Sequence, residues 1–348
     1  MNILVYELTE QGKLFKAFRQ HPTFENRFSQ FFYRFHTGIS AEKSAYNLRE
    51  IKYRVQPYHL FTQNSPFVLL LPGNPKQWVF CLLLKRSIFT ISMKHKINHY
   101  LEELEQSRNI KILLACETGS RAWGFPSPDS DYDVRIIYVH KTDWYLSVGQ
   151  SRDTIEMMLE NNELDISGWE LKKSLELLKK SNPALLERIQ SPIVYKADAD
   201  FLRDIQALAT SCYSKIATMH HYLSLAKKMN AIISETEEYS LKKLFYALRT
   251  AVLCKWILVK EEIPPIEFHK ALEGLEIPAG LLNRINHLIE LKSTRPESYL
   301  HTGESEIKEF INNSIFESEQ IKTGLPVGNC KKDELNSVLR KYIHRYDH

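Results

Sequence analysis

From Met93 the apolar positions change period in a readable order. Ile97, Tyr100, Leu101 and Leu104 recur at three-and-four spacing, which predicts an amphipathic helix. The run IKILLAC that follows is short and continuously apolar, the pattern of a buried strand. ETGSRAWG reads as a turn leading into a short helical segment, and DYDVRIIYVH as a second strand. A third, acidic strand ends at Asp165. It passes into a helix from about Ser167 to Lys180, which stops before Asn182-Pro183 because the residue before a proline is pushed out of the α region. The order helix, strand, turn, strand, strand, helix predicts a small α/β domain over residues 93–195.

Beyond Tyr195 the pattern is almost wholly helical. Asp198 or Asp200 can cap a long helix through FLRDIQALATSCYSKIATMHHYLSLAKKM. Ser240 can cap another through LKKLFYALRTAVLCKWILVKE, which ends at Pro264-Pro265. The segments PIEFHKALEG, AGLLNRINHLIELK and KDELNSVLRKYIHRY complete a helical bundle over residues 196–348. Residues 1–92 differ: they hold eleven of the seventeen Phe but sustain neither a helical nor a strand period.

Composition refines this picture in three places. With 348 residues and 43% hydrophobic ones, the chain is long enough for two or three domains with cores of their own. Its formal charge of +4 is uneven: residues 1–92 carry twelve Lys and Arg against five Glu and no Asp, hence +7, which leaves −3 on the remainder. The first segment has two readings, a basic appendage that binds nucleic acid through interleaved aromatics, or an extension outside a native product that starts at Met93. The bulk of the protein is not a basic nucleic-acid binder by composition, so an RNA contact would rest on a local patch. The five cysteines are scattered and lack any Cys-x-x-Cys pair, which predicts neither a disulfide framework nor a zinc cluster and suits a reducing cytoplasm. The longest apolar runs fall short of the roughly 20 residues that a membrane-spanning helix requires, and no signal-peptide layout is present.

The chemistry concentrates between Gly119 and Asp165. Side chains two apart on a strand point to one face, roughly 6 to 7 Å apart, so Asp131 and Asp133 project together. Paired carboxylates repel unless a cation lies between them, and oxygen-only ligands suit Mg²⁺. Asp165 is the candidate for a third acid that would complete a site for two ions about 3.5 to 4 Å apart. Gly119 and Ser120 sit where a strand turns toward a helix, and there backbone N–H groups can hold phosphate. A flexible Pro-Ser segment is expected to join these two halves of one pocket. Arg121 and Arg135 lie nearby, either touching phosphate or balancing the charge of the acids. Lys242, Tyr246 and Arg249 share a helix face at i, i+4 and i+7, as a solvated basic face or as a stripe facing the nucleotide. His220 and His221 read as surface or packing histidines, Trp123 and Phe125 as anchors of the turn, and Trp169 and Trp256 as core.

The run Gly119-Ser120, ten residues, then Asp131-Tyr132-Asp133-Val134 resembles the signature of the DNA polymerase β-like nucleotidyltransferase superfamily. More closely, GSRAWGFPSPDSDYDVRIIYVH, ELDISGWELKKSLELLKKSNPALLERIQSPIVY and LKKLFYALRTAV resemble the predicted nucleotidyltransferases of an RNA-repair branch, over about residues 93–275. The resemblance implies an α+β fold, a small mixed-sheet nucleotidyltransferase domain followed by a C-terminal helical bundle. It implies that Asp131 and Asp133 bind metal, that Asp165 is the third acid and assists deprotonation of the acceptor, and that Gly119 and Ser120 hold the triphosphate. The cofactor would be two Mg²⁺ ions, with Mn²⁺ as the alternative, and the donor an NTP, ATP first. The expected reaction moves a nucleoside monophosphate to an acceptor hydroxyl and releases pyrophosphate. An RNA 3′ end or tRNA is the favoured acceptor, with a protein side chain or a small molecule such as an aminoglycoside as alternatives. Two other classes compete: a glycosyltransferase using Asp-x-Asp, which has no use for the Gly-Ser turn, and an inactive member that binds a nucleotide or partner.

Overall fold

The computed structural model describes residues 93–149 and 151–347, together with two short N-terminal strands. Those strands, β1 (Val5–Leu8) and β2 (Leu14–Ala17), pair antiparallel within a separate unit of residues 1–85. The reading of residues 1–92 as a basic extension otherwise lies outside the described residues.

In the second unit, helix α1 (residues 93–108) buries Met93, Ile97, Leu101 and Leu104 along one stripe. Asn109, at φ 49°, turns the chain into strand β3 (Ile110–Glu117). Strands β4 (Tyr132–His140), β5 (Thr154–Leu159), β6 (Leu164–Glu170) and β7 (Val194–Ala197) complete a mixed sheet in the order β5-β6-β4-β3-β7. Only β4 and β6 are parallel, and the short helices α2 (Gly119–Trp123) and α3 (Thr142–Tyr145) follow β3 and β4. This is the expected α+β arrangement of a small mixed sheet followed by helices.

Alternation along β4 gives the sheet two faces. Val134, Ile136 and Tyr138 pack under α1. Ile137 and Val139 point the other way, into a core shared with helices α4 (Leu171–Lys179), α5 (Pro183–Arg188) and α6 (Ala199–Cys212) and with Leu335 and Tyr342 near the C-terminus. Asp133 and Arg135 lie on this second face, at the end of the strand that the helices leave open.

A third core belongs to the bundle, in which α7 (Lys215–Ser234) and α8 (Leu241–Val259) form the principal helix pair. Trp123 and Phe125 are part of it although they come from the turn after Gly119-Ser120. Phe125 stacks on Phe245 at 4.9 Å and meets Phe268 edge-on at 5.4 Å. The turn is thereby anchored to the bundle, as expected of these aromatics.

Four details differ from the sequence reading. Asp165 opens a strand rather than ending one, and the helix begins at Leu171, not near Ser167. Its N-cap is Glu170, whose carboxylate accepts from the Lys172 and Lys173 amides at 2.7 and 3.2 Å; glutamate is not among the usual cap residues and gave no signal. The long helix after Asp198 is two helices, broken at Tyr213-Ser214. Buried Ser181 accepts the Ser214 N–H at 2.7 Å and donates to the Cys212 carbonyl at 3.3 Å, and so satisfies the broken backbone from 33 residues away. Cys212 and Cys330, 118 residues apart, form a disulfide at that same break, where the scattered spacing predicted none. A further helix, Ser305–Ile321, packs on α7 and α8.

Candidate active site

The site is assembled around the backbone of Asp133. Its N–H donates to the Glu117 carboxylate at 2.7 Å, and its carbonyl accepts from the Thr118 N–H at 2.9 Å. The Asp133 carboxylate rests directly on Gly119: a Cβ there would lie 2.2 Å from Oδ2. Gly119 also holds φ at +65°, a conformation that glycine adopts at little cost. The Gly-Ser turn and the paired acids are therefore in contact.

Parallel pairing supplies the third acid. Asp133 and Asp165 are register partners, as are Arg135 and Ser167. Arg135 Nη2 lies 2.8 Å from Asp133 Oδ1 and 2.9 Å from Asp165 Oδ2, so one guanidinium links the two carboxylates. Burial pushes the Asp133 carboxyl above the ordinary aspartate range. Arg135 pulls it back, while the charges of Asp165 and Asp131 push it further up. Among the described residues, no three His, Cys, Asp or Glu side chains converge as placed on an ion-sized point. The donor set of Asp131, Asp133 and Asp165 is nonetheless all oxygen, and its excess negative charge fits a hard divalent cation.

Asp131 and Asp133 face a cleft that also receives Ser120 and, from the bundle, Lys242, Tyr246, Lys292 and Glu297. The segment between the Gly-Ser turn and the acids, expected to be flexible, is instead clamped to the bundle. Buried Ser127 accepts from Lys292 Nζ at 2.8 Å, buried Ser130 donates to Glu297 at 2.9 Å, and the Glu297 N–H donates to Asp129 at 2.9 Å.

The basic candidates separate into different roles. Lys242 lines the cleft and pairs with Glu297 at 2.5 Å; Tyr246 lines it too, its ring 5.1 Å from Trp123. Arg249 does not reach it. Its side chain is 4% exposed, pairs with Glu187 at 2.9 Å and stacks over Trp123 at 4.3 Å, so the three residues do not form one substrate-facing stripe. Arg121 donates to the carbonyls of Ser130 and Asp131 at 2.6 and 2.9 Å and stacks on Tyr132 at 3.7 Å, which fixes the approach to Asp131. Arg135 balances charge between the acids. His220 and His221 are exposed.

Three participants escaped the sequence reading. Glu117 is fully buried, bonds Tyr195 as well as the Asp133 amide, and is pushed up to about 7 by burial. Its signal is a charged residue closing a buried strand. Lys292 continues the apolar stripe Leu281, Ile285, Leu288 on its helix, where a cation is out of place. Glu297 lies in a loop and has no such signal.

Residues 93–341 match the profile of RlaP, the RNA repair pathway DNA polymerase beta family. The chain belongs to that family. The RNA repair pathway DNA polymerase beta family supports a nucleotidyltransferase activity, and its match begins where the apolar pattern becomes readable. The chain is also 39% identical over 251 residues to the uncharacterized protein YcgL of Bacillus subtilis strain 168, covering 72% of this chain and 95% of that protein. A crystal structure of a nucleotidyltransferase-like protein from Exiguobacterium sibiricum aligns over 72% of this chain and 81% of its own, at 9% identity and TM-score 0.22. That likeness is too loose to bear on the site. No helix among the described residues is long and apolar enough to cross a membrane.

Proposed function

We propose that this protein transfers a nucleoside monophosphate from an NTP, ATP first, to an acceptor hydroxyl with release of pyrophosphate, in the cytoplasm. The observation that carries the reading is the pairing of Asp133 with Asp165 across parallel strands, beside Gly119 and opposite Lys242 and Tyr246. Asp131 and Asp133, with Asp165 as third donor, would hold Mg²⁺, or Mn²⁺ in its place. Bound there, the ion would neutralise phosphate charge and stabilise an in-line displacement. Ser120 orients the phosphates from the turn, and Lys242 binds their charge from the bundle. Asp165 takes the proton of the attacking hydroxyl, and Tyr246 contacts the nucleotide. Arg135 holds Asp133 and Asp165 together, a role that a bound cation would share.

The favoured acceptor is an RNA 3′ end, tRNA included; a protein side chain and a small molecule such as an aminoglycoside remain the alternatives. A second reading, nucleotide binding without turnover, draws on Arg135, which already bridges two of the three acids and offsets part of their charge. Incubation with each α-labelled NTP, Mg²⁺ and either total RNA or an RNA-free lysate tests these readings. Label on RNA supports the favoured acceptor, and label only on protein or small molecules replaces it. Binding without label or pyrophosphate supports the second reading.

A further inference from the structure

Arg188, the last residue of α5, is 5% exposed and makes no ion pair among the described residues. Its guanidinium lies 3.3 Å from the centre of the Trp169 ring and donates once, to the Ile136 carbonyl at 3.4 Å. Stacking occupies the flat face of the group and leaves its N–H edge free. That edge is not sealed: among the described residues, Nε of Arg249 is the one arginine nitrogen that is both shut off from solvent and without a partner. A nearly buried cation in this state is costly, and an anion that visits it offsets the cost. The place is beside the acids. Asp165, Ser167 and Trp169 alternate along β6 and so share one face. Burial draws the Arg188 guanidinium below the ordinary arginine range, and the charges of Arg135 and Asp165 act on it as well. On β5, Met158 is the register partner of Asp165 and is 58% exposed, so the sheet is uncovered there. Glu156, opposite Ser167, is paired with Arg152 at 3.5 Å.

We infer that Arg188 and Met158 form a subsite for the acceptor, in which Arg188 holds the last internucleotide phosphate of a polynucleotide 3′ end and Met158 packs against its terminal nucleoside. The attacking hydroxyl then lies beside Asp165. The inference rests on the nucleotidyl-transfer reading for the role of Asp165, whereas the phosphate contact depends only on charge and geometry. Charge also separates the acceptors. A cationic small molecule such as an aminoglycoside would meet an uncompensated guanidinium, and a protein hydroxyl brings no phosphate of its own. A polynucleotide end supplies the missing counter-charge in a shape that matches, two oxygens to two N–H groups.

Two short RNAs of one sequence provide the test, one with an ordinary phosphodiester as its last linkage and one with an uncharged methylphosphonate there. Affinity for the full chain is read by fluorescence anisotropy without NTP. The wild type should bind the phosphodiester RNA about ten- to a hundredfold more tightly, the worth of a charged contact. Arg188→Met should weaken the phosphodiester RNA by a similar factor and bind both RNAs alike, whereas Arg188→Lys, which keeps the charge, should retain a preference of about threefold or more. Met158→Ser should weaken both RNAs about threefold, and no change would remove Met158 from the subsite. Equal binding of the two RNAs by the wild type overturns the inference without recourse to any variant, as does an Arg188→Met protein that keeps the wild-type preference. A wild type that labels RNA from an α-labelled NTP yet shows no linkage preference overturns this inference alone. A linkage preference that depends on Arg188, in a protein that turns over no NTP, upholds the phosphate contact and removes the nucleotidyl-transfer reading instead.

Discussion

Asp133 and Asp165 face each other across parallel strands and share the guanidinium of Arg135, at 2.8 and 2.9 Å. Arg135 does for these carboxylates what a divalent cation would do. Replacing it with Gln leaves two facing, half-buried acids without their counter-charge. Arg135→Gln should lower stability by about 1 to 2 kcal/mol in EDTA, less than a fully buried pair because water reaches these groups. Millimolar Mg²⁺ should restore more of that loss than it adds to the wild type. Thermal melts with and without Mg²⁺ check this, and an equal response of the two proteins would count against a cation between the acids.

Glu117 makes stability depend on pH. Its folded value is about 7 against an ordinary 4.5, so between these values the folded state binds more protons than the unfolded chain. The stability that Glu117 contributes is therefore greatest below about pH 4.5 and falls as pH rises toward 7. Asp133, also raised, contributes with the same sign. Glu117→Gln should remove most of a decline of up to about 3 kcal/mol across that window. Urea denaturation of the metal-free protein at pH 5, 6 and 7 measures it. Parallel curves for wild type and variant would show that Glu117 is not the group responsible.

Lys242 and Arg249 lie on one helix, but their substitutions should fail in different ways. Lys242→Ala removes a cleft cation and should raise the apparent KM for NTP about tenfold, with stability nearly unchanged. Arg249→Leu leaves the largely covered Glu187 without its cation and should cost about 3 kcal/mol of stability. Melting curves and initial rates on the two variants separate the effects. A folded Arg249→Leu protein with wild-type stability and a raised KM would return Arg249 to the nucleotide.

The relation between Gly119-Ser120 and Asp131-x-Asp133 was legible because turn and strand are close in sequence and each follows its own local rule. Asp165 could be named, but not its register: the pairing of β4 with β6 is set by the packing of Val134, Ile136, Leu164 and Ile166 under α1, which no short window contains. The break at Tyr213 was hidden for a similar reason. No Pro or Gly marks it, and the hydroxyl that satisfies it comes from Ser181. Arg249 misled because helical spacing alone assigns it to the face of Lys242, whereas α8 is buried around most of its circumference. Lys292 carried a usable clue in the interrupted apolar stripe of its helix.

If the acids around Asp133 carry out nucleotidyl transfer, label from α-labelled ATP, with Mg²⁺, should move into RNA in a way that depends on them, which is measured for the wild type and for the single variants Asp131→Asn and Asp133→Asn. Wild type should transfer label with one pyrophosphate released per transfer. Both variants should remain folded, since each removes a repelling charge, and lose at least about a thousandfold in rate, because charge neutralisation is the main contribution of such a site. Transfer that persists at the wild-type rate in both variants would contradict the assignment.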